Sequence, residues 1–207
     1  MITIVDYGLG NIQAFRNIYH RLGIDVTVGR TADELSKASR LILPGVGAFD
    51  WAMSRLNVSG MRERLDELVL QHGIPVLGVC VGMQMMAFTS EEGALPGLGW
   101  IGGQVRRFER GSDNAAGSAP LQLPHMGWNS AMAYVDRGLF AGMRESEFYF
   151  LHSYYFEPQE KSCALAVTDY ADQFVSAVGK GNIYGVQFHP EKSHLAGIKL
   201  LKNFAEL

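Results

Sequence analysis

Two short stretches of this 207-residue chain carry residue types that can do covalent chemistry together. The first is Gly78-Val79-Cys80-Val81-Gly82, which follows the apolar run Pro75 to Leu77 and opens a helical pattern carrying Met83, Met86 and Phe88. Where a strand turns sharply into a helix, its corner residue is forced outward. The flanking positions must then be small, because the backbone passes close to neighbouring chain. This is the logic of a nucleophile elbow, with Cys in the place of Ser. The corner also sets the sulfur at a helix N-terminus, where partial positive charge favours the thiolate. A buried structural cysteine between two glycines would leave the same pentapeptide.

The second stretch is Tyr184-Gly185-Val186-Gln187-Phe188-His189-Pro190-Glu191-Lys192-Ser193. A thiol nucleophile needs a base, and the base needs a group to orient it. His189 leaves the end of an apolar strand, and Glu191 lies two residues on, which in extended chain puts both on one face. Pro190 favours an extended conformation before it. The carboxylate would then hold the imidazole tautomer while the other ring nitrogen faces Cys80. Alone, His189 reads as a strand-end histidine in a turn. Beside the elbow it reads as catalytic, because both pieces end strands, and crevices of open α/β sheets form at the carboxyl ends of strands.

The elements that must position these groups follow from periodicity. Met1 to Val5 reads as a buried strand, and Ile12, Phe15, Ile18, Tyr19 and Leu22 recur at helical spacing until Gly23. Further strands fall near Val26 to Val28 and at Leu41-Ile42-Leu43, stopped by Pro44-Gly45. A helix carrying Leu65, Leu68 and Val69 ends at Gly73, before a strand from Pro75 to Val79. In the second half, Trp100-Ile101, Phe148 to Phe150, Ala164 to Val167 and Ile183 to Phe188 read as strands, and Ala196 to Phe204 as a helix. The expected fold is α/β, one domain over residues 1–207. Its central, mostly parallel sheet is flanked by helices, with additional antiparallel strands in the C-terminal half. Arg110 to Ala119, rich in Gly, Ser and Ala, reads as a mobile hairpin tip.

Bulk properties narrow the class. Hydrophobic residues make up 47% and charged ones 19%, ordinary for a globular domain. The net charge is -3 with no basic block, which argues against nucleic acid as the main partner. Two cysteines, Cys80 and Cys163, make no disulfide framework and no paired metal-ligand spacing, so a reducing, cytoplasmic setting and no metal are expected. The N-terminus lacks a signal-peptide pattern, and no run approaches the length of a membrane span.

At this point the residues resemble a family. The elbow with Met83-Gln84 and the His189-Pro190-Glu191 pair are similar to the class I, or triad, glutamine amidotransferases. The resemblance narrows through Asp6-Tyr7-Gly8-Leu9-Gly10-Asn11, Leu43-Pro44-Gly45-Val46-Gly47, Ser90-Glu91-Glu92-Gly93, Pro124-His125-Met126-Gly127-Trp128-Asn129, His152-Ser153-Tyr154 and Gln187 to Ser193. These occur in the order seen in the glutaminase subunits of imidazole glycerol phosphate synthase, of histidine biosynthesis, and they cover nearly the whole chain. Val81 stands where Leu or Ile is common.

The resemblance implies a role for each matching residue. Cys80 attacks the glutamine carboxamide, His189 moves protons and Glu191 orients it. Backbone N–H groups at Val81 and along Gly45, Val46 and Gly47 form the oxyanion hole. Gln84 and Glu92 hold the substrate, the latter through its α-ammonium group, with Glu91 an alternative for that contact. Asn11, Trp128, Tyr149 and Lys192 lie near the interface with a (β/α)8-barrel synthase subunit, which receives the ammonia in a heterodimer. Dull alternatives stand beside these: Asn11 as a helix cap, Trp128 as core, Lys192 as solvated. His125 and His152 read as structural, and Cys163 as buried. No cofactor is implied. Two other functions fit parts of the pattern: a paralogous glutaminase for amidation of a nucleotide-linked or surface-polysaccharide sugar, and a catalytically dead regulatory scaffold. The second would be expected to lose Cys80, His189 or Glu191.

Overall fold

The first half of the chain alternates strand and helix. In the computed structural model, which describes residues 1–109, 122–170 and 172–207, β1 (Ile2–Val5) leads into α1 (Ile12–Arg21), β2 (Val26–Gly29) and α2 (Ala32–Leu35). β3 (Arg40–Gly45), α3 (Phe49–Val58), α4 (Arg62–Asp66), β4 (Val76–Cys80) and α5 (Val81–Gln84) follow. The second half supplies β5 (Thr89–Ser90), β6 (Gly103–Arg107), β7 (His125–Ala133), β8 (Glu145–His152), β9 (Tyr154–Pro158), β10 (Ala164–Tyr170), β11 (Asp172–Lys180), β12 (Ile183–Val186) and α6 (His194–Glu206). The expected hairpin tip at Arg110 to Ala119 lies outside the described residues.

Nine strands form one sheet in the order β2-β1-β3-β4-β12-β11-β10-β7-β8. The run from β2 to β12 is parallel and the remainder antiparallel, the mixed architecture that the apolar pattern predicts. All residues of β1 and β4 are buried, because both faces of a parallel sheet are covered. α1 buries Phe15, Ile18 and Tyr19, and the Tyr19 hydroxyl donates to the Leu201 carbonyl on α6 at 3.2 Å, tying the two helices together. β5, β6 and β9 form a separate small sheet beside the crevice.

Several elements differ from the sequence expectation, each for a visible reason. β3 does not stop at Leu43 but runs through Pro44 to Gly45, paired with Val79 and Cys80. The Leu41 N–H points at β4, donating to the Pro75 carbonyl, so by alternation position 44 faces β1, whose pairing has already ended at Ile42. The proline therefore removes a donor that has no ladder partner. The helix after Cys80 is one turn long, and Phe88 lies beyond it. The carbonyls of Met85, Met86, Ala87 and Phe88 accept instead from the N–H groups of Leu98, Ile101, Gly99 and Gly97. That cross-bonding also explains why Trp100-Ile101 is a buried loop rather than a strand. The Trp100 indole donates to Asp66 at 2.7 Å. β12 ends at Val186, short of Phe188, and α2 and α3 are helices that the sequence reading passed over.

Candidate active site

β4 delivers Cys80 to the crevice in a conformation that few residues adopt, with φ 55 and ψ -114. The flanking glycines make this possible. A Cβ on Gly82 would sit 1.9 Å from the Leu43 carbonyl oxygen, and one on Gly78 would sit 2.6 Å from the Met86 methyl and 2.7 Å from the Gly82 oxygen. Gly45, the last β3 rung, packs as tightly: its Cβ would meet the Gly82 nitrogen at 2.4 Å. The elbow is thus a backbone-on-backbone junction between β3 and β4. Because α5 is a single turn, its dipole is small, and support for a thiolate must come from side chains.

β12 delivers the second piece from the adjacent strand. The His189 Nδ1 and Glu191 Oε1 lie 3.0 Å apart, with side chains 3% and 2% exposed. The pair is not made along extended chain. Pro190–Lys192 is a 3-10 turn, and only His189 is extended, so the turn folds the carboxylate back onto the ring. One backbone bond and two through the Ser193 hydroxyl tie this turn to β8: His189 N–H donates to Tyr149 O (2.8 Å), Tyr149 N–H to Ser193 Oγ (3.0 Å), and Ser193 Oγ–H to His189 O (2.6 Å).

Burial alone would depress the His189 pKa, but hydrogen bonding to Cys80 and Glu191 outweighs it and raises the value to about 10. The sulfur rests between two other partners, the Leu151 carbonyl at 3.9 Å and Gln187 Nε2 at 3.7 Å. The imidazole is close enough to couple to it without yet being its aligned acceptor, the looseness common before substrate binds. The other Glu191 oxygen, Oε2, is buried without a hydrogen-bond partner among the described residues, so the imidazole answers the carboxylate's charge.

A raised folded-state pKa stabilises the protein most below the unfolded value near 6.5, and the contribution fades as pH climbs toward 10. Glu191→Ala is therefore expected to cost about 2 kcal/mol at pH 6 and clearly less near pH 10. Denaturant midpoints at the two pH values measure the gap, and a gap independent of pH would refute the coupling.

Cys80 and His189 share a cavity of about 310 Å³ with Val46, Gly47, Val81, Gln84, Glu92, His152 and Lys192, in the size range of small-molecule sites. A larger open groove of about 1190 Å³, lined by Phe88, Gln104, Glu157 and Phe174 among others, has no cysteine or histidine in its lining. Chemistry rather than volume locates the site. Glu92 reaches the cavity while its Oε2 accepts the Phe49 N–H at 2.8 Å, and burial raises its pKa against that bond. Glu91 points elsewhere, accepting the Arg107 N–H at 2.8 Å and pairing with Arg106 at 3.4 Å. Gln84 Nε2 donates to the Tyr154 carbonyl and to Gln187 Oε1, both at 3.0 Å, which leaves its oxygen for a ligand.

Two histidines at the rim are structural in arrangement. His152 Nδ1 donates to Tyr154 O at 2.8 Å, so its Nε2 accepts from His125 Nδ1 at 3.1 Å. Burial pushes His152 down to about 3 and His125 to about 4, so both stay neutral. Cys163 is buried, and its thiol is pushed up chiefly by that burial.

Trp128, Tyr149 and Lys192 gather on the rim. Trp128 is 47% exposed, so it is not core, and it stands edge-on to Tyr149 at 6.3 Å. The Lys192 ammonium sits 5.7 Å over the Tyr149 ring. Asn11 is the exposed N-cap residue of α1, its carbonyl accepting from Ala14 and Phe15, with no side-chain capping bond among the described residues.

A strained cysteine at a strand-to-turn elbow, beside a buried His–Glu pair in the turn that follows the neighbouring strand, is the equipment of a thiol hydrolase. The chain belongs to the class-I glutamine amidotransferase family, which it matches over residues 3–207. The fold agrees: a crystal structure of a glutamine amidotransferase superposes with a TM-score of 0.74 at 20% identity, covering 99% of this chain and 97% of that one. Relatives that match over all of their own length and all of this chain's include two from bacteria. Both are imidazole glycerol phosphate synthase subunit HisH, from Bdellovibrio bacteriovorus at 58% identity and Leptospira interrogans at 46%.

Proposed function

We propose that this chain is the glutaminase subunit of imidazole glycerol phosphate synthase, in histidine biosynthesis. The observation that carries the reading is full-length identity of 58% to a subunit of that name, in a chain that keeps Cys80 and His189 in one cavity with Glu191 against the far side of the imidazole. His189 takes the Cys80 proton, and the sulfur attacks the glutamine carboxamide carbon. The Val81 N–H and those of Gly45, Val46 and Gly47 receive the oxyanion. His189 returns the proton to the leaving nitrogen, which departs as ammonia and leaves a γ-glutamyl thioester. His189 then deprotonates the water that releases glutamate and restores the thiol. Glu92 answers the substrate's α-ammonium group with the oxygen not used by Phe49, and Gln84 offers its carbonyl oxygen.

The ammonia passes to a (β/α)8-barrel synthase subunit docked over Asn11, Trp128, Tyr149 and Lys192. An apolar rim supports that assignment. Met126 (66% exposed) pairs with Leu151, and Trp128 with Tyr149, on one face of the β7–β8 hairpin beside the cavity.

Glutamate release should be low for the chain alone and rise on the order of a hundredfold with the barrel subunit and its ribotide ligand. Release unchanged by that partner would keep the glutaminase and move it to another pathway, sugar amidation first among them.

A further inference from the structure

Nothing in the scheme above uses Gln187, yet it is fully buried and aimed at the nucleophile. Its backbone is held by the bond from its N–H to the Ser176 carbonyl at 2.9 Å, just past the end of β12. Its side-chain nitrogen lies 3.7 Å from the Cys80 sulfur and its oxygen 3.0 Å from Gln84 Nε2. The orientation of such an amide is usually ambiguous, but here it is determined. The Tyr154 carbonyl can only accept, so the amide end of Gln84 facing it at 3.0 Å must be nitrogen. That nitrogen then demands oxygen from Gln187, which turns the Gln187 N–H toward the sulfur.

We infer that Gln187 is a further working member of the site: its amide N–H holds the Cys80 sulfur and stabilises it as a thiolate, with Gln84 and the Tyr154 carbonyl fixing which way that amide faces. A thiol sulfur is a weak acceptor and a thiolate a strong one, so the bond strengthens when the proton leaves for His189. The same donor serves twice. It supports the sulfur before attack and again when water expels it from the thioester, as the S–C bond breaks and its electron pair returns to sulfur. The inference rests on Cys80 being the nucleophile.

The test is the pH profile of Cys80 alkylation by iodoacetamide in the full chain, in a Cys163→Ala background so that a single thiol reports. The other polar and titratable groups around the sulfur are the Leu151 carbonyl, His189 with Glu191 behind it, His152, Glu92, Lys192 and the protonated Tyr7. All are common to wild type and variant. Gln187→Met removes the donor while keeping the side-chain length. The midpoint should rise by about one pH unit. Because nucleophilicity grows as thiol pKa grows, the profiles should cross: alkylation about threefold slower below the midpoint and about threefold faster on the high-pH plateau. A cavity or a loosened site would shift the whole profile one way. Gln84→Met, which frees the Gln187 amide to turn, should give a smaller shift of the same sign. If Gln187→Met does not fold, the isosteric Gln187→Glu should give a larger rise. Coincident midpoints in folded variants overturn the role of Gln187. A wild-type Cys80 that reacts like an ordinary thiol, with alkylation leaving glutamate release intact, instead overturns the nucleophile reading.

Discussion

Cys80→Ala should cut glutamate release more than about a thousandfold while leaving the melting temperature nearly unchanged. The loss is total in kind, because no other described side chain in the cavity can form the thioester. The fold should tolerate the change: alanine is smaller, fits the same backbone, and forfeits only two long contacts, to Leu151 O and Gln187. His189→Ala should lose nearly as much, since a thiol without a base is poorly ionised at neutral pH. The Cys80→Ala, His189→Ala double variant should be no worse than Cys80→Ala alone, because residues acting as one unit do not add. A steady-state glutamate assay across the three variants decides it. Release by Cys80→Ala within tenfold of wild type, in protein freed of contaminating glutaminase, would remove Cys80 from the mechanism.

Gly82→Ala should be severely damaging for a single added methyl. Its Cβ would lie 1.9 Å from the Leu43 oxygen, 2.9 Å from the Leu43 carbon and 3.2 Å from the Pro44 carbon, all backbone, so no side chain can swing aside. β3 would have to part from the elbow, and with it Gly45, whose own Cβ position is 2.4 Å from the Gly82 nitrogen. The expected cost is about 3–5 kcal/mol, the range for severe overpacking, together with loss of glutaminase activity. Gly181→Ala is the control: it has positive φ but nothing within 4 Å, and should cost only about 1 kcal/mol. Urea midpoints for the pair separate contact from conformation. A Gly82→Ala variant no less stable than Gly181→Ala would mean that the β3–β4 junction is looser than described.

Much of the architecture was legible because its signals are local. Ile12, Phe15, Ile18, Tyr19 and Leu22 repeat at helical spacing, and β1 and β4 are short unbroken apolar runs. The same periodicity marks α3, where Phe49, Ala52, Met53 and Leu56 are all buried and spaced for one helix face. The one-turn α5 and the Trp100-Ile101 loop were not legible. Their backbone bonds are to each other, across segments whose pairing no local pattern encodes. β3 ran past its proline because of where β1 stops, again a fact about a neighbour rather than about the strand itself.

The sequence by itself determined the chemistry: a cysteine between glycines, a histidine and a glutamate two apart, and the need for small residues at the elbow. Residue type and short spacing suffice for that, because valence, charge and steric size are properties of single residues. Only the tertiary structure decided which partners those groups meet. It closed His189 on Glu191 through a 3-10 turn rather than an extended strand, and it turned Glu92 to the cavity and Glu91 to Arg106 and Arg107. It also set Gln187 beneath the sulfur through a chain of bonds that begins at the Tyr154 carbonyl. Those contacts join residues 70 positions apart in one link and more than 100 in the other two, distances over which only packing can specify direction.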